Sequence, residues 1–324
     1  MAQPLKATFF TLQRRERAIL LPATLLTIAI LALILGAFVA LNWRALSLFA
    51  ELFQAGAAGT VNPQTGTDAV FAMFGLFGSA LLLLIPTYMV VAAYEAACLR
   101  WMIRSEAPGL FGLTLDADMW RVYGVYWCWL IVQMVVSTVV STIMVAIMFA
   151  TMSDVMANPS DPAAMLQWQL MVQVPITVLQ YIPLIFLGVR LGPAAATSIA
   201  RKKFSFLEAW TVTKGRFWEL FGSFFVLMLG YFVVFGALLV FVFASVFRGG
   251  WPDPNATPEQ MANAFAALWT PQNLTIMGGL YFLMLVSGLV YVVFSYGVNA
   301  RAAIAAVDDG RIDGHTPNIG KVFE

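Results

Sequence analysis

Six apolar runs alternate with short polar segments along the chain, at roughly 19–41, 69–99, 122–150, 169–192, 218–247 and 274–299. Each is long enough to cross about 30 Å of hydrocarbon, which takes about 20 residues of helix. Lipid offers no partner to a backbone amide, so a spanning segment satisfies its own hydrogen bonds as a helix or within a closed barrel. Runs of this length are too long for barrel strands. The pattern predicts an all-α polytopic membrane protein with six transmembrane helices. A seven-span alternative splits the run 69–99, but its single Pro86 reads more simply as a kink within one helix.

Composition agrees. The 324 residues are 61% hydrophobic and 11% charged, and mean hydropathy is +0.83. A soluble domain carries about 25% charged residues. Of the 18 Lys and Arg, only Arg44 and Arg248 fall on one side of the six-span arrangement; the others share the side of both termini. Lys and Arg in short loops are retained in the cytoplasm, so both termini are expected there. The apolar run after Arg17 is too long for a signal-peptide core and no small-residue cleavage site follows it, so it reads as an uncleaved first span. Cys98 and Cys128 lie in or beside spans, with no cysteine in the external loops to form a disulfide framework. The net charge of +1 gives no sign of nucleic-acid binding.

The runs also carry a repeat. Ile85-Pro86 is followed by Trp120-Arg-Val-Tyr-Gly124, and Ile182-Pro183 by Trp218-Glu-Leu-Phe-Gly222. The proline-to-glycine distances are 38 and 39 residues. The spacing predicts units of about 100 residues at 1–100, 101–200 and 201–311, each an outgoing and a returning helix, followed by a cytoplasmic tail at 312–324. Such a repeat is parallel, unlike the inverted repeats of many alternating-access transporters.

Between the fourth and fifth spans the chain reads FSFLEAWTVTKGRFWELFG, directly after Arg201-Lys202-Lys203. Ser205 and Glu208 have the spacing of a capping box, in which each side chain satisfies an amide at a helix start. Phe206, Leu207 and Trp210 are expected on one helix face, with Gly215 as the stop after Lys214. A short helix with an aromatic face and basic neighbours suits a membrane surface, and Trp218 suits headgroup depth. Two readings of this elbow stay open. Its cations are a topology signal and anchor, or Arg201, Lys202, Lys203, Lys214 and Arg216 together with Trp210 bind anionic lipid headgroups.

Elsewhere, Asp116 is placed to cap a helix beginning at Ala117, with Asp118 at the positive end of its dipole. On the outside, TPEQMANAFAALW at 257–269 and WRALSLFAELF after the first span read as amphipathic surface helices. Glu95, Arg190 and Asn299 lie toward the cytoplasmic ends of the three returning helices. Polar groups at such depth mark function when they face a bundle or a wet cavity, and this trio is the candidate intramembrane polar cluster. The local alternative is that Arg190 snorkels and Glu95 meets water near the helix end.

No catalytic set is legible. His315 is the single histidine, in a polar tail, so no histidine-based metal cluster is expected. There is no nucleophile elbow, phosphate loop or dinucleotide fingerprint, and no cofactor is implied.

The elbow resembles a motif of two poorly characterised bacterial inner-membrane families, the YciC-like proteins and the membrane domain associated with glycerophosphoryl diester phosphodiesterases. Leu207, Glu208, Ala209, Trp210, Thr213, Lys214, Gly215 and Arg216 occupy the motif's places. The resemblance implies the bacterial inner membrane and lipid-related work; the phosphodiesterase domain itself is missing, so it does not imply hydrolysis. The expected function is a non-enzymatic inner-membrane protein in envelope or lipid homeostasis, or a scaffold, with anionic phospholipids and a membrane-protein partner or second copy as associates. The alternatives are a transporter or channel for a small or amphiphilic molecule and, behind it, a membrane-embedded enzyme.

Overall fold

In the computed structural model, residues 6–13, 20–57, 63–151, 166, 168–246 and 271–314 are described. The expected surface helix at 257–269 and His315 lie outside them. The chain is all-α: α1 (Phe10–Gln13), α2 (Leu20–Leu41), α3 (Trp43–Ala57), α4 (Pro63–Arg104) and α5 (Ala117–Thr151) form its first half. A π-turn at Gln169–Gln173 leads into α6 (Val174–Leu191), followed by α7 (Ala194–Arg201), α8 (Ala209–Thr213), α9 (Phe217–Val246) and α10 (Pro271–Asp308).

Among the described residues, six helical stretches are long and apolar enough to cross a membrane: Leu20–Leu41, Gly66–Arg104, Ala117–Thr151, Thr177–Arg201, Phe217–Phe241 and Gly278–Asp308. Their hydrophobic side chains are widely exposed, among them Leu33, Phe71, Phe149, Val233 and Phe282. That is the arrangement expected when hydrocarbon is the solvent. α4 runs unbroken through Pro86, so the six-span reading holds over the split one.

The tightly packed core lies at one end, the end that carries Arg100, Arg104, Arg121, Arg190 and the elbow cations; we call it the basic end. Here the returning helices do not stop where the apolar runs do. The expected spans close at 99, 192 and 299, whereas the helices continue to Arg104, Arg201 and Asp308. Buried alanines line this end: Ala92, Ala96 and Ala97 in the last turns of α4 before its extension, Ala194, Ala195 and Ala196 in α7, and Ala300, Ala303 and Ala306 in the extension of α10. Small side chains let helix backbones approach closely, and the extensions pack on one another around Leu99, Met102, Ile103, Met119 and Ile199.

Two glycines are needed for these approaches. A Cβ at Gly297 would lie 2.1 Å from Thr11 Oγ1, because α1 is seated directly on α10. A Cβ at Gly192 would lie 2.6 Å from the Gly188 carbonyl, and Pro193, which has no N–H, follows it. The helix therefore breaks there and restarts as α7, with Thr197 donating through both its amide and its hydroxyl to the Pro193 carbonyl, at 2.8 Å each.

Candidate functional site

α4 and α5 are joined at the basic end by buried charges. Asp116 caps α5 as expected, accepting from the Met119 amide at 3.1 Å. It also accepts from Arg100, whose side chain is 1% exposed and donates to the Gly112 carbonyl at 2.8 Å. Burial alone would raise the Asp116 carboxyl, but the Met119 amide and the Arg100 guanidinium outweigh it and hold the group below the ordinary aspartate value of 3.8. Asp118 does more than favour a dipole. It is buried and pairs with both Arg104 and Arg121, with Arg100 a further 4.0 Å away. The sequence marks the acids as helix-start residues but carries no sign of their arginine partners across the connector.

The elbow departs from its expected local structure. α7 ends with Lys202 in the left-handed region at φ 53°, and the Lys203 amide donates back to Ser198 at 3.2 Å. Ser205 is buried and makes no cap: its amide donates to Ser198 Oγ at 3.1 Å, and its hydroxyl donates to Lys203 and accepts from Arg201. The Glu208 carboxylate pairs with Arg201 at 2.9 Å instead of reaching back to an amide. The capping box is thus replaced by tertiary bonds to α7, and α8 is only five residues long. The expected aromatic face also divides, with Phe206 in the core while Leu207 and Trp210 stay outside. Gly215, at φ 77°, does end the elbow helix where the sequence places the stop.

Two of the five elbow cations are spent inside the protein. Arg201 holds Glu208 and, at 2.7 Å, Asp313. Arg216 is buried and holds Asp309 at 2.9 Å, which Arg311 also engages. Of the first residues of the expected tail, Ile312 packs into the bundle's second apolar cluster, while Asp313 stays exposed and is tied to it through Arg201. Lys202, Lys203 and Lys214 remain exposed, and with them the apolar side chains of Phe204, Leu207, Trp210 and Trp218. Beside Lys214 an open depression of about 510 Å³ is bordered by Thr211, Gly215, Arg216 and Arg311.

The expected intramembrane trio separates. Arg190 belongs to the elbow: its guanidinium carbon lies 5.1 Å from the ring centres of Trp210 and Phe217 and 5.6 Å from Phe186. It donates to the Thr213 carbonyl at 3.1 Å, and Thr213 Oγ1 donates back to the Arg190 carbonyl at 3.3 Å. Glu95 and Asn299 are both buried and share one cavity at the basic end. Tyr126 donates to the Glu95 carboxylate, and Tyr296 hydrogen-bonds Tyr126. These tyrosines went unmarked in the sequence because aromatic residues abound in every span.

No protein-family model matches the chain, and neither a curated protein nor a solved structure matches it. The YciC-like resemblance rests on the elbow motif.

Proposed function

We propose that this is a non-enzymatic integral protein of the bacterial inner membrane, with cytoplasmic termini, that holds anionic phospholipid headgroups at its basic end in envelope or lipid homeostasis. The observation that carries the reading is the pairing of exposed Lys202, Lys203 and Lys214 with exposed Phe204, Leu207, Trp210 and Trp218 on one elbow. Lysines reach phosphates while the apolar side chains sit at the acyl boundary. Arg201 and Arg216, neutralised by carboxylates of the same chain, support the elbow and do not count toward the headgroup set. Asp116 and Asp118, engaged by arginines, serve helix capping and bundle packing in this reading.

Changing Lys202, Lys203 and Lys214 together to Gln is expected to strip phosphatidylglycerol and cardiolipin from the detergent-purified protein. Each cation contributes about 1 kcal/mol near an anionic surface. Native mass spectrometry reads the loss, which is expected to shrink at high ionic strength because exposed charges are screened beyond about 8–10 Å. Trp218→Ala is expected to weaken retention with little salt dependence. Unchanged lipid content in the triple variant would leave the basic elbow as a topology signal alone.

The orientation has its own test. Ser205 is buried and unsuited to a probe, whereas Lys202 is exposed. A cysteine at 202, in a Cys128→Ser background, is expected to react with an impermeant maleimide only after the inner face of spheroplasts is opened. Labelling of intact spheroplasts would place the basic end outside.

The shared cavity of Glu95 and Asn299 favours a second reading, in which a small or amphiphilic molecule is taken up within the bundle.

A further inference from the structure

The cavity between α5, α6, α9 and α10 has a volume of about 470 Å³, within the range of small-molecule sites. Its polar groups gather toward the basic end: Glu95 from α4, Tyr126 from α5, and Ser295, Tyr296 and Asn299 from α10. Further from that end the lining turns apolar, with Trp129, Ile185, Phe224 and Val292. The site therefore has one polar pole and one apolar pole, aligned along the helices.

Two features say which chemistry the polar pole takes. Glu95 is the only charged side chain among the lining residues, so the cavity carries an acid and no Lys or Arg to answer it. Asn299 is 8% exposed, and its Oδ1 has no hydrogen-bond partner among the described residues, although an unmet buried acceptor is costly. A carboxylate and an unmet carbonyl both call for donors, and the aromatic side chains of Tyr126, Trp129, Tyr291 and Tyr296 add rings that attract cations. An anionic headgroup is disfavoured by Glu95. A metal ion would want about six oxygen ligands in a tight shell, which a largely aromatic and apolar wall does not supply.

We infer that this cavity binds an organic ammonium group carried on an apolar body, with Glu95 as counter-ion, Asn299 as acceptor, and the body lying along Trp129, Ile185, Phe224 and Val292. The inference does not depend on the elbow reading: the residues are different, the favoured charge is opposite, and a failure of either leaves the other standing.

Gly188 lines the cavity, and a Cβ there meets nothing within 4 Å, so Gly188→Leu directs its side chain into the open space of the cavity. The full chain in maltoside micelles is titrated calorimetrically with dodecylammonium, and in parallel with dodecyl sulfate and with ethanolamine. Protein-free micelles supply the blank for partitioning. The expected result is saturable binding of dodecylammonium alone, lost in Gly188→Leu while its helical content is retained. Glu95→Gln is expected to weaken that binding by about tenfold or more, since it removes the charge from a buried hydrogen-bonded pair. Ethanolamine binding as tightly as the amphiphile would overturn the apolar body and leave a free ammonium solute as the ligand. Equal binding of the sulfate and the ammonium amphiphile, or binding unaltered by Gly188→Leu, would overturn the proposal. If Glu95→Gln does not fold, Gly188→Leu decides.

Discussion

Asp118→Ala is expected to cost about 3–5 kcal/mol of folding stability, the range for removing one partner of a buried ion pair. Asp118 faces Arg104 and Arg121, both within bonding reach, and Arg100 4.0 Å away. Arg104 is itself buried and keeps only the exposed Glu106 at 3.1 Å, while Arg100 keeps Asp116, so deleting the acid leaves the Arg104 guanidinium short of negative charge inside the bundle. Asp116 compensates only in part, because it is committed to Arg100 and to the cap of α5. Asp118→Asn keeps the shape but not the charge, and is expected to recover a minority of the loss. A denaturant titration in mild detergent measures both. A loss below about 1 kcal/mol, the size of an exposed surface pair, would mean that water reaches this network and that its burial is not what matters.

Arg190→Ala is expected to lower stability by about 2–3 kcal/mol and to loosen the elbow. The guanidinium lies within 5.1–5.6 Å of three ring centres. A partly desolvated cation–π contact is worth about 2 kcal/mol or more, and the bond to the Thr213 carbonyl adds to it. Arg190→Lys is expected to restore little, since an ammonium cannot stack its plane on Trp210 while also bonding the carbonyl. The decisive measurement is the double-mutant cycle with Trp210→Ala. Coupling of about 1–2 kcal/mol would assign the energy to the stack. Additive single losses would show instead that Arg190 acts by snorkelling, as the local reading of the sequence has it.

The fate of Arg190, Glu95 and Asn299 shows where sequence reading stops. All three lie near the ends of returning helices, and sequence position makes them equivalent. In space Arg190 turns to the elbow while Glu95 and Asn299 turn to a common cavity. Which way a side chain faces depends on the rotation of its helix against its neighbours. In a span that is apolar all round no amphipathic stripe records that rotation. The elbow failed for a related reason. Ser205 and Glu208 carry a correct capping pattern, but Ser198 and Arg201 on α7 offer those same groups other hydrogen bonds, and a local signal yields when tertiary partners compete for its atoms.

What the sequence determined by itself is the all-α class, the six spans and the helix punctuation at Asp116 and Gly215. These follow from hydropathy over about 20 residues and from backbone preferences of single residues, which need no knowledge of neighbours. The tertiary structure alone decided that the returning helices continue beyond their apolar runs and pack on one another there through buried alanines. It also decided which acid answers each arginine, and that Glu95 and Asn299 face one cavity. Those outcomes are set by close helix approach and by the partners of buried charges, interactions between residues far apart in the chain that leave no periodic trace in it.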